Sequence, residues 1–243
     1  MTPRSAVWRA AMATVEVRFV GRGGPPERDV RLRRVEGGDR DRRVAWLDQR
    51  HSAVCVEATA GRCGEGDALW TVEPELALCV ATADCVPVAL AGARGVAVAH
   101  AGWRGIVAGV VGEAAGAIDA GSTGSRAWIG PAIGVCCYEV GDDVAARVEA
   151  ASGPGIVDPG RGERPHLNLV AAVEHQLRSA GVTSVERLGP CTRCSPDLLH
   201  SYRRDGAGAG RNLSYVWLRG PSARSRRLRS VTLPAGPTPR PPG

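Results

Sequence analysis

Three residues in the sequence, His51, Cys85 and His100, have side chains that bind metals and that also serve in nucleophilic catalysis. Two imidazoles and one thiolate with an open fourth position make a catalytic zinc site, in which the ion activates water near neutral pH. The spacing of the three residues matches no short ligand motif, so the sequence also allows a plainer interpretation, a buried thiol and two hydrogen-bonded histidines. Their placement favours the metal site, because each lies where an apolar run meets a turn.

The apolar runs at residues 76–81 and 95–100 are predicted to be buried strands that present two of these side chains. The runs are shorter than typical helices and are flanked by glycine, which favours strand over helix. The first run leads through residues 82–84 into Cys85, and the second ends at His100 before a glycine-containing turn and a helix. Reactive groups at the ends of buried strands rest on a rigid frame, as a catalytic site requires.

Several other residues carry weaker chemical signals. Residues 190–194 (PCTRC) contain half of the nucleobase-deaminase zinc signature, but none of the five histidines supplies the H-x-E half, so we interpret the match as a coincidence. Cys136 and Cys137 are predicted to be buried thiols in a turn. A guanidinium group suits phosphate binding, and the arginines closest to the predicted site or to the glycine-rich segment 206–210 are Arg104, Arg203, Arg204 and Arg211.

The positive charge of the 243-residue chain is concentrated at its C-terminal end. The formal net charge is +6, but residues 221–243 hold five arginines and no acidic residue, which leaves 26 arginines against 25 acidic residues elsewhere. This basic, proline-rich segment is predicted to be a disordered tail. Since no aromatic platform accompanies the charge, nucleic-acid binding is not expected as a main function.

The composition also indicates the compartment. The first 20 residues contain no long apolar core of a secretory leader, and the sequence has no run of 18 apolar residues that could span a membrane. We therefore expect a cytoplasmic protein that does not associate with membranes and whose eight cysteines are reduced thiols. The sequence does not determine the oligomeric state, for which a monomer is the default expectation.

Predicted strands and helices mix without a regular repeat. Strands are predicted at residues 14–20, 44–47, 53–57, 127–130 and 182–188, and helices at 104–119, 142–151 and 167–180. Residues 198–204 and 213–218 are predicted to form a hairpin around a glycine-rich loop, and residues 60–68 a polar turn that carries Asp67. We predict an α+β (mixed α/β) fold, with mixed sheets flanked by helices in one catalytic domain over residues 1–220, in which 21–43 form a loop.

Five ordered segments resemble the YfiH-type family, which is described as purine nucleoside phosphorylase and also carries the labels laccase-like polyphenol oxidase and peptidoglycan editing factor. The segments are 82–88 (TADCVPV), 99–105 (AHAGWRG), 130–134 (GPAIG), 137–141 (CYEVG) and 201–205 (SYRRD). The resemblance covers residues 44–218. Because several motifs recur in a consistent order, it is specific, whereas GWRG alone would be weak evidence.

The resemblance implies a fold, a cofactor and an activity. Members are described as mixed α/β proteins related to a bacterial toxin fold with a Cys–His hydrolase pair, and Cys85 and His100 stand where that pair would be. The positions of His51, Cys85 and His100 are implied to bind zinc rather than copper. The implied reactions are phosphorolysis of adenosine, inosine, guanosine and methylthioadenosine, together with deamination of adenosine.

This implied chemistry suggests roles for charged residues near the zinc ligands. Deamination requires water activated by zinc to attack C6 of adenine, and it requires a proton shuttle, for which Asp67 and Asp84 are the candidates. In phosphorolysis, phosphate attacks C1′ as the bond to N9 breaks, and Arg104 is the first candidate to bind phosphate, followed by Arg203 and Arg204. The expected partners are a purine nucleoside and inorganic phosphate.

Two departures from the family pattern keep other interpretations open. Arg50 stands where the family usually has valine, and residues 21–43 lack the Ser-Leu-Asn-Leu-Gly and His-Val-Gly-Asp segments of the family. One alternative is a Cys85–His100 hydrolase or amidase that edits a cell-wall precursor, and another is a zinc-retaining protein without catalysis. A multicopper oxidase is not expected, because the five histidines include no H-x-H pair for a trinuclear copper cluster.

Overall fold

The structure, a computed structural model, describes residues 6–12, 14–23, 43–159 and 163–220. Within these ranges the chain forms fourteen β-strands, five α-helices and one 3₁₀ turn at Gly206–Gly208. The strands are β1 (Val7–Ala11), β2 (Val15–Val20), β3 (Arg43–Asp48), β4 (Cys55–Glu57), β5 (Gly61–Glu65), β6 (Ala68–Thr71), β7 (Leu76–Thr82), β8 (Val86–Gly92), β9 (Gly95–Ala101), β10 (Arg126–Ile129), β11 (Val157–Asp158), β12 (His166–Leu167), β13 (Ser184–Arg187) and β14 (Asn212–Leu218). The helices are α1 (Trp103–Ala108), α2 (Val110–Ala117), α3 (Asp142–Ser152), α4 (Leu169–Ser179) and α5 (Tyr202–Asp205).

Most of the strands belong to two six-stranded sheets, and each sheet mixes parallel and antiparallel neighbours. The first sheet has the order β1-β2-β14-β7-β3-β5, and β3 runs parallel to both β7 and β5. The second sheet has the order β13-β10-β8-β9-β6-β4, with parallel pairs at both of its edges. The prediction of an α+β fold with mixed sheets and flanking helices is therefore confirmed.

The two sheets pack face to face, and helices cover the other face of the second sheet. The core between the sheets includes Phe19 and Leu78 from the first sheet and Trp128 from the second. A second core joins β8, β9 and β10 to side chains of α1, α2 and α4. Because β8 and β9 are buried on both faces, their sequences are continuous apolar runs instead of alternating ones.

The central strands bring the three predicted ligands to one end of the fold. β3 and β7 run parallel, so the segments that follow them, which contain His51 and Cys85, leave the first sheet at the same end. Cys85 directly precedes β8, whose antiparallel pairing with β9 places Pro87 opposite His100. The chain thus crosses from the first sheet to the second at residues 83–85, beside the end of β9.

The predicted helix at residues 104–119 is interrupted. Gly109 has a φ of 92°, in the left-handed region, where it ends α1 and begins α2. Glycine adopts this conformation without steric cost, and the apolar periodicity of the segment gives no sign of the break. The other predicted helices agree with α3 and α4, although α4 begins only after Asn168, whose side chain accepts a hydrogen bond from the Ala171 N–H.

Two predictions about strands and turns are wrong. Residues 198–204 do not form a hairpin arm, because Ser201 caps the short helix α5 and β14 pairs instead with β2 and β7. Residues 60–68 are not simply a polar turn, because β5 lies within them and pairs with β3. The sequence pattern also fails to indicate β1, at the edge of the first sheet, and β8, at the centre of the second.

Most of the predicted loop at residues 21–43, and the whole predicted tail at 221–243, lie outside the described residues. Of that loop, Arg22 and Gly23 form a turn, whereas Arg43 already belongs to β3. Among the residues with described positions, no helix has both the length and the apolar character needed to cross a lipid bilayer.

We predict that Gly130→Ala destabilises the fold, because Gly130 lies where the second sheet meets the first. A Cβ atom there would lie 2.3 Å from Cδ1 of the buried Phe19 ring. Overpacking of this kind typically costs about 1–3 kcal/mol of unfolding free energy. The control is Gly116→Ala on the exposed side of α2, where the added methyl meets no atom within 4 Å. Urea denaturation should show a lower midpoint for the Gly130 variant alone, and equal midpoints would contradict the close contact.

Candidate metal centre

The structure brings His51, Cys85 and His100 together. Their ligand atoms, one ring nitrogen from each histidine and the Cys85 Sγ, lie within 4.8 Å of one another. The Cys85 Sγ is 3.8 Å from His51 Nε2, and the two imidazole rings meet edge to face with centroids 4.7 Å apart. Zinc–ligand bonds of about 2.0–2.3 Å place neighbouring donor atoms about 3.3–3.8 Å apart in a tetrahedron. The cluster is therefore close to the geometry that a metal ion requires.

The close approach of these side chains depends on Gly102, which precedes α1. A Cβ atom at this position would lie 2.7 Å from His51 Cδ2 and 2.9 Å from the Cys85 Sγ. Both distances are shorter than van der Waals contact, so any larger residue would push the ligands apart. Glycine is required here for space and not for backbone conformation, since its φ of −77° is accessible to every residue.

The buried carboxylate of Asp67 organises both histidines. One of its oxygens accepts hydrogen bonds from the His51 N–H (3.0 Å) and from His100 Nδ1 (2.8 Å). The other accepts from the N–H groups of Arg50 and Ser52 and from the Ser52 hydroxyl. These bonds hold the turn at His51, whose φ of 60° is unfavourable for a residue with a side chain. With Nδ1 engaged, the second ring nitrogen of His100 is left for a metal ion.

The charges of the cluster depend on one another. Burial favours the neutral form of Asp67, but hydrogen bonds from His100 and Ser52 hold the pKa of this carboxyl well below its usual range. Burial also opposes the charge on His100, yet contacts with Asp67 and Cys85 raise the His100 pKa to about 9. At Cys85, the two histidines outweigh burial and lower the thiol pKa to about 6. A thiolate, the form that binds metals and attacks substrates, is therefore available at neutral pH.

Asp84 anchors the loops beside the three ligands. Its carboxylate accepts hydrogen bonds from the Thr192 hydroxyl (2.5 Å) and from the Arg203 N–H (2.6 Å), and its backbone has a positive φ of 100°. Both oxygens of Asp84, like both oxygens of Asp67, are thus engaged within the protein. This geometry suits positioning of neighbouring groups, and the proton-shuttle role predicted for both residues stays a prediction.

The three ligands open onto a cavity of about 640 Å³. This volume is within the range of small-molecule sites. Besides the ligands and Asp84, its walls carry aromatic and basic side chains, namely Trp103, Tyr138, Tyr202, Arg104, Arg203 and Arg211. Asp67 does not line the cavity, because it lies behind His100. The site therefore places three potential metal ligands, aromatic side chains and positive charge around one space.

Two of the predicted phosphate ligands, Arg104 and Arg203, line the cavity. The exposed Arg104 side chain stacks over Trp103, with its guanidinium carbon 4.4 Å from the ring centroid. The Arg203 guanidinium lies 5.0 Å from the centroid of the Tyr138 ring and donates a hydrogen bond to the Glu139 carbonyl. Each guanidinium has five N–H donors, so these contacts do not exhaust the donors that either residue could offer to an anion in the cavity.

Arg204, the third predicted phosphate ligand, is placed differently. Its guanidinium donates to the Asp205 carboxylate and to the backbone carbonyls of Thr192 and Leu199. It is not among the residues that line the cavity, whereas Arg211, a weaker candidate from the sequence, is. The structure therefore gives Arg204 a role in holding the loop rather than in contacting the cavity.

Sequence reasoning missed several residues of the cavity wall. Tyr138 and Tyr202 lie within the matched motifs 137–141 and 201–205, which is the signal that could have identified them. Gln49 also lines the cavity, and its amide exchanges two hydrogen bonds of 2.8 Å with the backbone of Ala81 at the end of β7. That contact spans two strands, so no local pattern in the sequence reveals it.

Comparisons with known proteins identify relatives of the chain. A model of a family described as multi-copper polyphenol oxidoreductase laccase matches residues 27–219. The chain is 37% identical over 183 residues to a purine nucleoside phosphorylase of Pseudomonas aeruginosa, covering 72% of this chain and 74% of that protein. It is 31% identical over 195 residues to the purine nucleoside phosphorylase YfiH of Escherichia coli, covering 77% and 79%.

The likeness extends to solved structures. The crystal structure of a Neisseria meningitidis protein superposes with a TM-score of 0.75 at 31% identity, over 88% of this chain and all of that one. The two-sheet architecture described above is thus shared with a protein whose structure is known experimentally.

We predict that Gly102→Ala weakens metal binding, because the added methyl occupies the space between His51 and Cys85. A steric cost of about 1.4 kcal/mol lowers the affinity about tenfold. The matched control is Gly112→Ala on the exposed side of α2, where the methyl meets no atom within 4 Å. Zinc affinity measured by competition with a chromogenic chelator should fall for the first variant and not for the second. Equal affinities would show that the ligands do not need this space.

Proposed function

Because the chain belongs to the family described as multi-copper polyphenol oxidoreductase laccase and is similar to proteins named purine nucleoside phosphorylase in Pseudomonas aeruginosa and Escherichia coli, we propose that it is a zinc-dependent purine nucleoside phosphorylase. The family resemblance inferred from its motifs is confirmed by these matches. The proposed substrates are adenosine, inosine, guanosine and methylthioadenosine with inorganic phosphate, and the proposed second reaction is deamination of adenosine. The convergence of His51, Cys85 and His100 beside a cavity lined with arginines carries the proposal.

The donor set supports zinc over copper. Two imidazole nitrogens, one thiolate and a side open to the cavity match a catalytic zinc site. A blue-copper site uses similar donors, but a multicopper oxidase also needs a trinuclear cluster rich in histidine. The chain has five histidines, with no H-x-H pair. The copper in the description of the family is therefore not part of the proposal.

When bound, zinc supplies a Lewis acid that polarises a substrate group or activates water. The remaining tasks belong to residues of the chain. Asp67 fixes the orientation of His100 through Nδ1 and the position of His51 through its backbone N–H. Trp103, Tyr138 and Tyr202 line the cavity with aromatic side chains that can contact a purine ring and exclude water.

The arginines of the cavity suit phosphate. In phosphorolysis, an oxygen of phosphate forms a bond to C1′ of the ribose while the bond from C1′ to N9 of the purine breaks. The attacking phosphate is an anion, so the positively charged Arg104, Arg203 and Arg211 would bind and orient it. Asp84 positions Arg203 by accepting a hydrogen bond from its backbone N–H. Loss of an arginine should therefore affect the use of phosphate more than the binding of nucleoside.

A second candidate function uses the same residues without metal. Cys85, His100 and Asp67 form a chain of nucleophile, base and orienting carboxylate, and the lowered pKa of Cys85 suits covalent catalysis. In such a hydrolase, the Cys85 sulfur would attack an acyl carbon, the amine would leave with a proton from His100, and water would then hydrolyse the thioester. Chelators would leave this activity intact, whereas alkylation of the metal-free thiol would abolish it.

We predict that Cys85→Ser lowers metal content and catalysis together. The hydroxyl of serine is a poor zinc ligand at neutral pH, so the variant should lose the ion of this site and at least about a hundredfold in phosphorolysis. Cys63→Ser is the matched control, since Cys63 lies outside the cluster and donates to the Thr59 carbonyl, as serine also can.

The assay is elemental analysis of the purified chain combined with chromatography of adenosine incubated with and without phosphate. Adenine and ribose-1-phosphate, formed only with phosphate, indicate phosphorolysis, and inosine indicates deamination. Loss of both products after chelation, and their return on addition of zinc, supports the proposal. Full turnover by the metal-free chain would overturn it in favour of the hydrolase, and a loaded chain that converts no nucleoside would mark a non-catalytic relative.

We also predict that Arg104→Ala raises the KM for phosphate with a smaller change in the KM for nucleoside. A hydrogen bond to a charged group contributes about 1.5–3 kcal/mol, which corresponds to about a 10- to 150-fold rise. Arg94→Ala is the control, because Arg94 stacks on Trp70 away from the cavity. Steady-state kinetics with phosphate varied should separate the two variants, and an unchanged KM in the Arg104 variant would remove this residue from the phosphate site.

A further inference from the structure

A second group of potential ligands lies beside the cavity wall and is not used by the proposed reaction. The Sγ atoms of Cys136, Cys137, Cys191 and Cys194 all lie within 4.8 Å of one another. The sequence interpretation of Cys136 and Cys137 as buried thiols is wrong, because Cys136 is exposed and Cys137 is only half-buried. The C-x-x-C pair at 191 and 194, which matched half of a zinc signature, faces them across a gap of more than fifty residues in sequence.

The sulfur positions suit one ion. The Cys194 Sγ lies 3.3 Å from that of Cys137 and 3.8 Å from that of Cys136. Four thiolates bound to zinc at about 2.3 Å stand about 3.8 Å apart along the edges of a tetrahedron. A disulfide requires sulfur atoms about 2.05 Å apart, joins only two of the four residues and leaves the convergence of the other two unexplained.

The surroundings of the sulfurs suit the negative charge of a tetrathiolate. The Gly134 N–H donates a hydrogen bond of 3.2 Å to the Cys191 Sγ, and the backbone N–H of Cys194 contacts the same sulfur. The Arg193 guanidinium lies against the Cys137 thiol. Gly134 also leaves room for the cluster, because a Cβ there would lie 3.2 Å from the Cys136 Sγ. Hydrogen-bond donors and a cation directed at two of the four sulfurs, those of Cys191 and Cys137, are the kind of surroundings that thiolate ligands have.

We propose that these four cysteines form a structural zinc site, separate from the site of His51, Cys85 and His100. Four thiolates would fill the coordination of the ion and leave no position open for a substrate or water. The role of the ion would therefore be to join the two loops that carry these cysteines. One loop continues into Tyr138, and the other carries Thr192, which donates to Asp84. Zinc is favoured over the other metals of tetrathiolate sites because a non-redox ion is sufficient for such a role. The site would therefore stabilise the part of the cavity wall that Tyr138 and Asp84 form.

The proposal is tested by counting zinc ions in the full chain, purified under reducing conditions after growth with zinc. The wild-type chain should hold about two zinc ions, and Cys136→Ser/Cys194→Ser about one. Cys85→Ser should also hold about one, by loss of the other ion, whereas the control Cys63→Ser should keep about two. Replacement of zinc by cobalt gives a second readout, because charge-transfer absorption rises with the number of thiolate ligands. The Cys85 variant should keep most of this absorption, and the Cys136/Cys194 variant should lose most of it and keep only the part that comes from Cys85.

A third measurement uses the wild-type chain, so it tests the proposal even if the double variant does not fold. Zinc should protect Cys136, Cys137, Cys191 and Cys194 together from alkylation, as mapped by peptide mass spectrometry. A wild-type chain with a single zinc ion that Cys85→Ser removes would overturn the proposal. So would a disulfide between any two of the four cysteines, or iron in place of zinc. Because the count of ions does not depend on turnover, these outcomes differ from a failure of the proposed phosphorylase activity.

Discussion

One buried carboxylate, that of Asp67, holds the proposed metal centre together. It accepts five hydrogen bonds from the segment 50–52 and from His100, and it does so at the boundary between β5 and β6. A carboxylate without partners at that depth would be strongly destabilising, and one partner alone would not satisfy two oxygens. The turn that carries His51 and the orientation of His100 are therefore fixed by the same requirement. Removal of Asp67 would disturb both histidines even though this residue does not line the cavity.

The sequence predicts the reactive residues better than it predicts their supports. Cys85 and His100 are recognisable because a polar residue that can bind metal interrupts or ends an apolar run, and that signal is local. The role of Asp67 is not recognisable, because three of its five hydrogen bonds come from backbone N–H groups of a turn 15–17 residues earlier in the sequence, and every residue type except proline supplies an N–H. The same limit hides Gln49, which contacts the backbone of Ala81. A family motif identifies a cavity residue only where the motif contains that residue, as the motif at 137–141 contains Tyr138.

Tertiary pairing explains the errors in the secondary-structure prediction. β8, which the prediction missed, is buried on both faces, so its sequence lacks the alternation by which strands are often recognised. The sequence of the segment before β14 resembles a hairpin arm, but the segment forms one helical turn. The Ser201 hydroxyl caps this turn, and the Asp84 carboxylate accepts a hydrogen bond from the Arg203 N–H. The four clustered cysteines are likewise not recognisable as a set, because they lie on two loops that are more than fifty residues apart in the sequence and that only the tertiary fold brings together.

The position of β14 also has a consequence for biosynthesis. This strand is the last element of the described chain, yet it lies inside the first sheet between β2 and β7, where it closes the gap between N-terminal and middle segments. A nascent chain lacks this strand until residues 212–218 have left the ribosome, so β7 keeps an open edge until then. The metal centre, whose ligand Cys85 follows β7, therefore assembles only once β14 is available to pair with β7. Premature termination after residue 100 but before residue 212 would leave a chain that contains every proposed ligand of the first metal centre but not the complete sheet needed to hold them.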